Sequence, residues 1–481
     1  MGAEKVIAVR RRSSYNESMR TRFVNLRVST TGNDTTPAEI VVNDGVIEEI
    51  LVPDAQTAVE AEHWEDLGGA LVLPGLVDPE VDFGDPGYPL REDFFSGTAA
   101  AAAGGVTCVA DIGQDEHSAV VDNPSLQLKV RTLANRALVD YMLWASPTEP
   151  DELSAARLSE VAEAGVAGFF VDLEHNESAA AAANWAQLTE SLHEAWRLGV
   201  PILVQAINSD LVGRLIQNIR THQTDPDRPE AWSEAHPPES EIEAVAAVRE
   251  LARSTGARVH FVGVSSRKAH QLVIEGREQG VALTTGVRPT SLAFVRDDLP
   301  TQGSRLKLSP ALQSEGDRVA LWNGIADATI EMVCSGHRAI QVPEEKESGS
   351  VWSDRSGMPG VELTLPYLYS EGVCTGHITL DRLIELVSTS PARLLGISHL
   401  KGKLQPGMHA DFVVFAEDET WTVTSDVLHG RSRISPFEGQ QFTGRVRATY
   451  LRGRQIFRRE ASGAEMFAPP GNGRWLIRGR G

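Results

Sequence analysis

Apolar and polar residues alternate with a period of two along Arg22-Phe-Val-Asn-Leu-Arg-Val-Ser-Thr, and again along Ala38-Glu-Ile-Val-Val-Asn-Asp-Gly-Val-Ile-Glu-Glu-Ile. That period sends successive side chains to opposite faces and predicts half-buried strands. Asn43-Asp44-Gly45, set between two such runs, predicts a hairpin. The pattern returns near the other end, where Gly402-Lys-Leu-Gln-Pro-Gly precedes Ala410-Asp-Phe-Val-Val-Phe-Ala and Thr449-Tyr-Leu-Arg-Gly-Arg-Gln-Ile-Phe follows. Both ends are β-rich and the middle is not. The prediction is one small, sandwich-like β domain built from residues 21–73 and 401–460, with tails at 1–20 and 461–481.

Between these ends, short apolar runs alternate with helical patterns, the signature of parallel βα units. Eight strands are predicted: Leu76–Phe83, Val106–Ile112, Ala137–Trp144, Ala167–Leu173, Pro201–Ala206, Arg258–Val264, Val281–Thr285 and Thr329–Cys334. The clearest helices are Ser178–Trp196, with Ala179–Ala183 as its start, and Glu239–Ser254. Eight βα units predict an α/β fold, a closed (β/α)8 TIM barrel over residues 74–400, with its site at the C-terminal strand ends. The Ala/Gly-rich stretch Ser96–Val106 lacks the Lys-Ser/Thr ending of a phosphate loop and reads as a tightly packed helix leading into a strand.

Composition narrows the class. The chain has 481 residues, 41% hydrophobic, enough for one large core. Its 45 basic and 66 acidic residues leave a net charge of −21, which repels phosphate backbones and anionic lipid, so neither nucleic acid nor membrane is an expected partner. No run of about 18 apolar residues occurs. Lys5, Arg10, Arg11, Arg12 and Arg20 are not followed by the apolar stretch of a secretory signal. Cys108, Cys334 and Cys374 form no CxxC pair, which predicts a reducing, cytoplasmic setting and neither a disulfide framework nor a thiolate zinc site. Cys108 and Cys334 lie in apolar runs and are expected to be buried.

The passage Leu73-Pro-Gly-Leu-Val-Asp-Pro-Glu-Val-Asp-Phe-Gly-Asp-Pro-Gly-Tyr strongly resembles the first barrel strand of cyclic amidohydrolases, the dihydroorotase, allantoinase and hydantoinase group. Glu92-Asp-Phe-Phe-Ser-Gly-Thr, Glu234-Ala-His-Pro-Pro-Glu-Ser-Glu, Gly256-Ala-Arg-Val-His-Phe-Val-Gly-Val-Ser-Ser and Lys307-Leu-Ser-Pro-Ala-Leu fit the same family in the same order. So do Pro359-Gly-Val-Glu-Leu, Thr389-Ser-Pro-Ala-Arg-Leu-Leu-Gly, Lys401-Gly-Lys-Leu-Gln-Pro-Gly and the tail Pro469-Pro-Gly-Asn-Gly-Arg-Trp. The resemblance runs from about Phe23 to Arg474.

It implies two divalent metals, usually zinc, at the barrel mouth, where they activate a water and polarise the amide carbonyl. They would be held by a histidine pair on strand one, a carboxylated lysine after strand four, histidines on strands five and six, and an aspartate after strand eight. Here those positions hold Glu80, Asp82, Phe170, Gln205, Gly263 and Gly336. The arginine and asparagine that dihydroorotases use on their substrate fall at Gly84 and Gln114. The expectation is that the family's binuclear zinc is absent and that the chain takes no cofactor.

Other groups remain at the mouth. Asp78, Glu80 and Asp82 alternate and are expected to face the barrel interior, where with Asp111 they would either hold Mg²⁺ or Ca²⁺, pair with arginines, or share protons. Glu80, Asp82 and His337 are the candidate catalytic groups, with His175 a further loop histidine; His260 reads as a core histidine.

The main functional expectation is a non-catalytic subunit, structural or regulatory, serving an aspartate carbamoyltransferase or a paralogous active amidohydrolase through a protein partner or self-association, and not itself an enzyme. By the same resemblance, the tail after about Ala461 is expected to reach a neighbouring subunit. The alternative is a hydrolase of a cyclic amide, imide or ureide C–N bond with a rebuilt, zinc-independent site. A third reading is a sensor of a small metabolite.

Overall fold

The computed structural model describes residues 20–53, 61–115, 117–147, 155–174 and 183–479. His175 and most of the predicted helix start at Ala179–Ala183 lie outside them.

The two ends of the chain meet in one eight-stranded sheet. Its N-terminal strands are β1 (Thr21–Ser29), β2 (Thr35–Asn43), β3 (Val46–Leu51) and β4 (His63–Pro74). After the barrel strands, numbered β5 to β13 below, come β14 (Phe412–Thr422), β15 (Gln441–Leu451), β16 (Arg454–Arg459) and β17 (Glu465–Phe467). Their order is β17-β16-β15-β14-β4-β1-β2-β3, so β4 and β14 join the two ends. The β2–β3 turn holds Asp44 at φ 51° and Gly45 at φ 82°, the paired positive values of a type I′ hairpin. Phe412 and Tyr450 stack at 4.5 Å, and Phe23 meets both edge-on at 5.0 and 5.4 Å.

The barrel strands are β5 (Leu76–Asp82), β6 (Val106–Asp111), β7 (Asp140–Leu143), β8 (Phe169–Asp172), β9 (Ile202–Gln205), β10 (Val259–Phe261), β11 (Leu283–Val287), β12 (Met332–Val333) and β13 (His337–Arg338). They pair in parallel as two arcs, β13-β5-β6-β7 and β8-β9-β10-β11-β12. The amide of Ala145 donates to the carbonyl of Gly168 and its carbonyl accepts from the amide of Phe170, joining β7 to β8. On the other side, β12 and β13 are one strand interrupted at Cys334–Gly336, where Gly336 has φ 57°. The eighth strand therefore reaches four residues beyond its predicted end at Cys334. The seventh starts two residues late, because the amide of Val281 still bonds back to Gly276 in the preceding helix.

Local sequence explains the helices that set the strands. The helix Trp185–Leu198 begins after Asn184, whose side chain accepts from the amides of Ala186 and Gln187, and stops at Gly199 with φ 66°. It thus starts later than the predicted Ser178. The helix Phe94–Ala103 is capped by Asp93 and buries Thr98 through Ala103, the close packing its alanines predict. Cys108 and Cys334 are buried and Cys374 is exposed, all three as free thiols. No described helix is long and apolar enough to cross a membrane. The C-terminal segment packs on its own barrel: Tyr141 bonds to the carbonyl of Arg474, and Leu476 to that of Tyr141.

Two ionic clusters tie the β sheet to the barrel. At the N-terminal end of β7, the buried Lys401 ammonium lies between Asp140, at 2.8 Å, and Asp411, while Arg452 also bonds Asp140. Elsewhere His429 bridges Glu362, at 2.8 Å, and Glu465, at 2.9 Å. Burial opposes a charged imidazole there, but the two carboxylates outweigh it and push His429 up to about 9. A raised pKa stabilises the fold fully below the ordinary value of roughly 6.5, and that contribution is lost as pH rises through the folded value. The melting temperature is therefore expected to fall between pH 7 and pH 10. His429→Gln should flatten that fall; scans of both proteins across the range test it, and parallel slopes would count against the bridge.

Candidate active site at the barrel mouth

The C-terminal strand ends surround a cavity of about 20 Å³, room for a single water. Glu80, Asp82, Gln205, Arg288, Ser309 and His337 are among its lining residues, with Gln114, Gly336 and Arg338. Glu80 and Asp82 come from β5, whose register shifts between Asp78 and Val81. Simple alternation therefore fails for Asp78: its carboxylate accepts from the amides of Glu80, at 3.1 Å, and Ser335, and it does not line the cavity. Asp111 is likewise engaged elsewhere, by Lys129 at 2.6 Å and the amide of Phe83 at 3.2 Å.

Arginines balance the remaining carboxylates. Arg288, at the end of β11, bonds Glu80 with one terminal nitrogen and the carbonyl of Ser309 with the other. Arg338 and Arg355 approach Asp82 at 3.7 and 3.8 Å without hydrogen-bonding it, and Arg355 is fixed by Asp115 at 2.8 Å. Both Asp82 oxygens are buried without a hydrogen-bond partner. Burial, with Asp115 nearby, pushes the Asp82 carboxyl up to about 6 against the pull of Arg338 and Arg355.

Two glycines explain how Arg288 fits. A β-carbon on Gly263 would lie 3.1 Å from its guanidinium carbon, and one on Gly336 would overlap its Nε and Cδ. The bare backbones of strands six and eight thus form the slot the arginine fills. Phe170 is fully buried in the apolar barrel interior with Met142, Trp144, Leu203 and Val262. Gln205 donates to Asp172 at 3.1 Å, Glu174 at 3.3 Å and Ser309 at 3.2 Å. Glu174 is also held by His236 at 2.9 Å and by the Ser309 hydroxyl. Burial and the neighbouring Glu174 push the Asp172 carboxyl up to about 8, and its Oδ2 has no hydrogen-bond partner.

His337 does not present a base. Its Nδ1 accepts from the amides of Gly360 and Val361, at 3.3 and 3.4 Å, which places the proton on Nε2. Burial pushes its pKa down to about 3, so the ring is a neutral donor, and Nε2 is unpartnered. His260 bonds Thr284 Oγ1 at 2.9 Å inside the barrel, as a core histidine. Gly84 packs against Tyr88, and Gln114 lines the cavity. Arg288, Arg338, Asp172 and Ser309 escaped the sequence reading. The available signal was that carboxylates on a buried strand require cationic partners from elsewhere in the fold.

The model of the amidohydrolase family matches residues 71–456. The chain belongs to the amidohydrolase family. An allantoinase of Rubrobacter xylanophilus is 33% identical over 425 residues, 87% of this chain and 90% of its own length. An allantoinase of Deinococcus radiodurans is 32% identical over 411 residues, 85% and 88% of the two chains. Among solved structures, the L-hydantoinase (dihydropyrimidinase) of Arthrobacter aurescens superposes with a TM-score of 0.89 at 26% identity, covering 96% of this chain and all of that one.

These likenesses overturn two expectations. A non-catalytic subunit is the wrong reading for an amidohydrolase this similar to allantoinases and hydantoinases over nearly its whole length; they point to a catalytic cyclic amidohydrolase. The expectation of no cofactor falls as well, because the family is a metal-dependent one and the chain gathers Asp140, His409 and Asp411 with one ligand atom of each within 4.8 Å of the others. That group lies at the N-terminal end of the barrel, where Lys401 and Arg452 already engage its carboxylates. At the mouth, the family's two-metal arrangement does not fit the side chains present: Arg288 fills the gap between Gly263 and Gly336, and Phe170 belongs to the apolar interior.

Proposed function

We propose that this amidohydrolase opens the ring of a cyclic ureide by hydrolysing an amide C–N bond, with allantoin-like rings as the favoured class. One observation carries the reading. Buried acceptors without hydrogen-bond partners, on Asp82 and Glu80, share one cavity with buried donors that also lack them, on Arg288, Arg338 and His337. A cyclic ureide alternates N–H and C=O around its ring and satisfies both sets, whereas leaving them unmade is costly. The names of the allantoinase relatives favour the same class.

In this scheme Asp82 accepts the proton of the attacking water. Its raised pKa keeps it ionised at neutral pH yet more basic than an ordinary aspartate. Asp172, bonded to the cavity-lining Gln205 and held protonated beside Glu174, supplies the proton that the departing ring nitrogen needs. Two carboxyl groups whose surroundings separate their pKa values divide acid from base work in this way. The cavity holds only about one water, so a ring enters only as the lining residues, Ser356 and Gly357 among them, give way.

The pH profile of ring opening tests the scheme. kcat/KM should rise as Asp82 loses its proton near pH 6 and fall as Asp172 loses its own near pH 8. A flat profile from pH 5 to pH 9 would rule out this pair.

A further inference from the structure

We propose that Arg288 is the electrophile of the site, its guanidinium polarising the carbonyl that water attacks. The inference rests on the hydrolase reading and adds the group that stabilises the developing oxyanion. Three observations converge on it. Arg288 lines the mouth cavity together with Asp82, and its Nε is buried without a hydrogen-bond partner. Its other two nitrogens are anchored, one by Glu80 and one by the Ser309 carbonyl, so the plane of the guanidinium is fixed before any ligand arrives. It sits in the slot that Gly263 and Gly336 leave open, on the strand ends where the resemblance places a metal centre. A fixed cation therefore occupies that part of the mouth, and a fixed cation is what a carbonyl under attack requires.

The step balances without a further reactant. The water oxygen bonds to the carbonyl carbon while its proton passes to Asp82. The carbonyl π pair moves onto oxygen, facing the Arg288 N–H. When the tetrahedral carbon collapses, the C–N bond breaks and the nitrogen takes the proton that Asp172 carries. The product is one open-chain ureide bearing the new carboxylic acid; the acid's proton returns to Asp172 as the carboxylate forms, and Asp82 releases its own to solvent.

Orientation is part of the assignment. Lysine keeps the charge but cannot reproduce two anchored nitrogens with a third left for the ligand. Likewise, a side chain at Gly336 would collide with Arg288 before it met anything else.

The test is ring opening by the full chain carrying Arg288→Lys, Arg288→Ala, and the double change Arg288→Met with Glu80→Gln, which removes both charges and avoids a buried unpaired carboxylate. Each is expected to lose about 100-fold or more in kcat with a smaller change in KM. Added guanidinium ion should restore part of the kcat of Arg288→Ala without restoring its melting temperature, a separation that a purely structural role would not produce. Unchanged kcat in the folded double variant, beside an active wild type, would overturn the assignment of Arg288 alone. A wild type that turns over no cyclic ureide would overturn the hydrolase reading and this inference with it.

Discussion

Truncating Lys401 to alanine is expected to lower the unfolding free energy by about 3–5 kcal/mol, the usual cost of removing one partner from a buried ion cluster. The Lys401 side chain is completely buried, as is that of Asp140. Its ammonium is the shared cation of Asp140 and Asp411, and both carboxylates push its pKa upward despite burial. Alanine leaves those carboxylates with Arg452 as the nearby compensating charge, at the junction of β7 with the terminal sheet. Urea denaturation of the two proteins measures the difference, and a loss below about 1 kcal/mol would show that the cluster does not secure the junction. Zinc added to the alanine variant should recover part of the loss, because Asp140, His409 and Asp411 then face a site cleared of its lysine.

Replacing Asp82 with asparagine is the second large effect. It keeps the shape of the side chain and removes the proton acceptor, so kcat/KM for ring opening should drop by at least about 100-fold. Neither Asp82 oxygen accepts a hydrogen bond, so the loss would not come from a broken hydrogen-bond network. Circular dichroism and a melting curve separate a site effect from unfolding. A folded Asp82→Asn protein with wild-type turnover would exclude Asp82 as the base and leave Glu80, whose Oε2 has no hydrogen-bond partner, as the other carboxylate of the cavity.

The barrel was legible because its strands, buried on both faces, are continuous apolar runs, and their spacing repeats with the intervening helices. The terminal sheet was legible from alternation and from Asp44-Gly45. It proved to be one continuous sheet extending to β17, because Glu465–Phe467 pairs with β16. The mouth was half legible. Asp82 and Glu80 stand where their strand predicts, but the register shift after Asp78 cannot be seen in a period-two pattern. Their partners were hidden by distance along the chain: 208 residues separate Glu80 from Arg288. Two glycines that look like plain losses turn out to be the space an arginine needs. For that reason, the changed ligand positions look like lost chemistry along the sequence and form a differently charged site in the fold.

We propose that this amidohydrolase opens cyclic ureides. The most direct test offers allantoin, a hydantoin and a dihydropyrimidine to the purified full chain, once as isolated, once after chelation and once with added zinc. Ring opening is followed by loss of the cyclic compound and appearance of one carboxylic acid per ring. The expected result is turnover of at least one of the three, with allantoin the best, and its loss in Asp82→Asn. No ring opening of any of them under any of the three conditions, by a folded protein, would contradict the account.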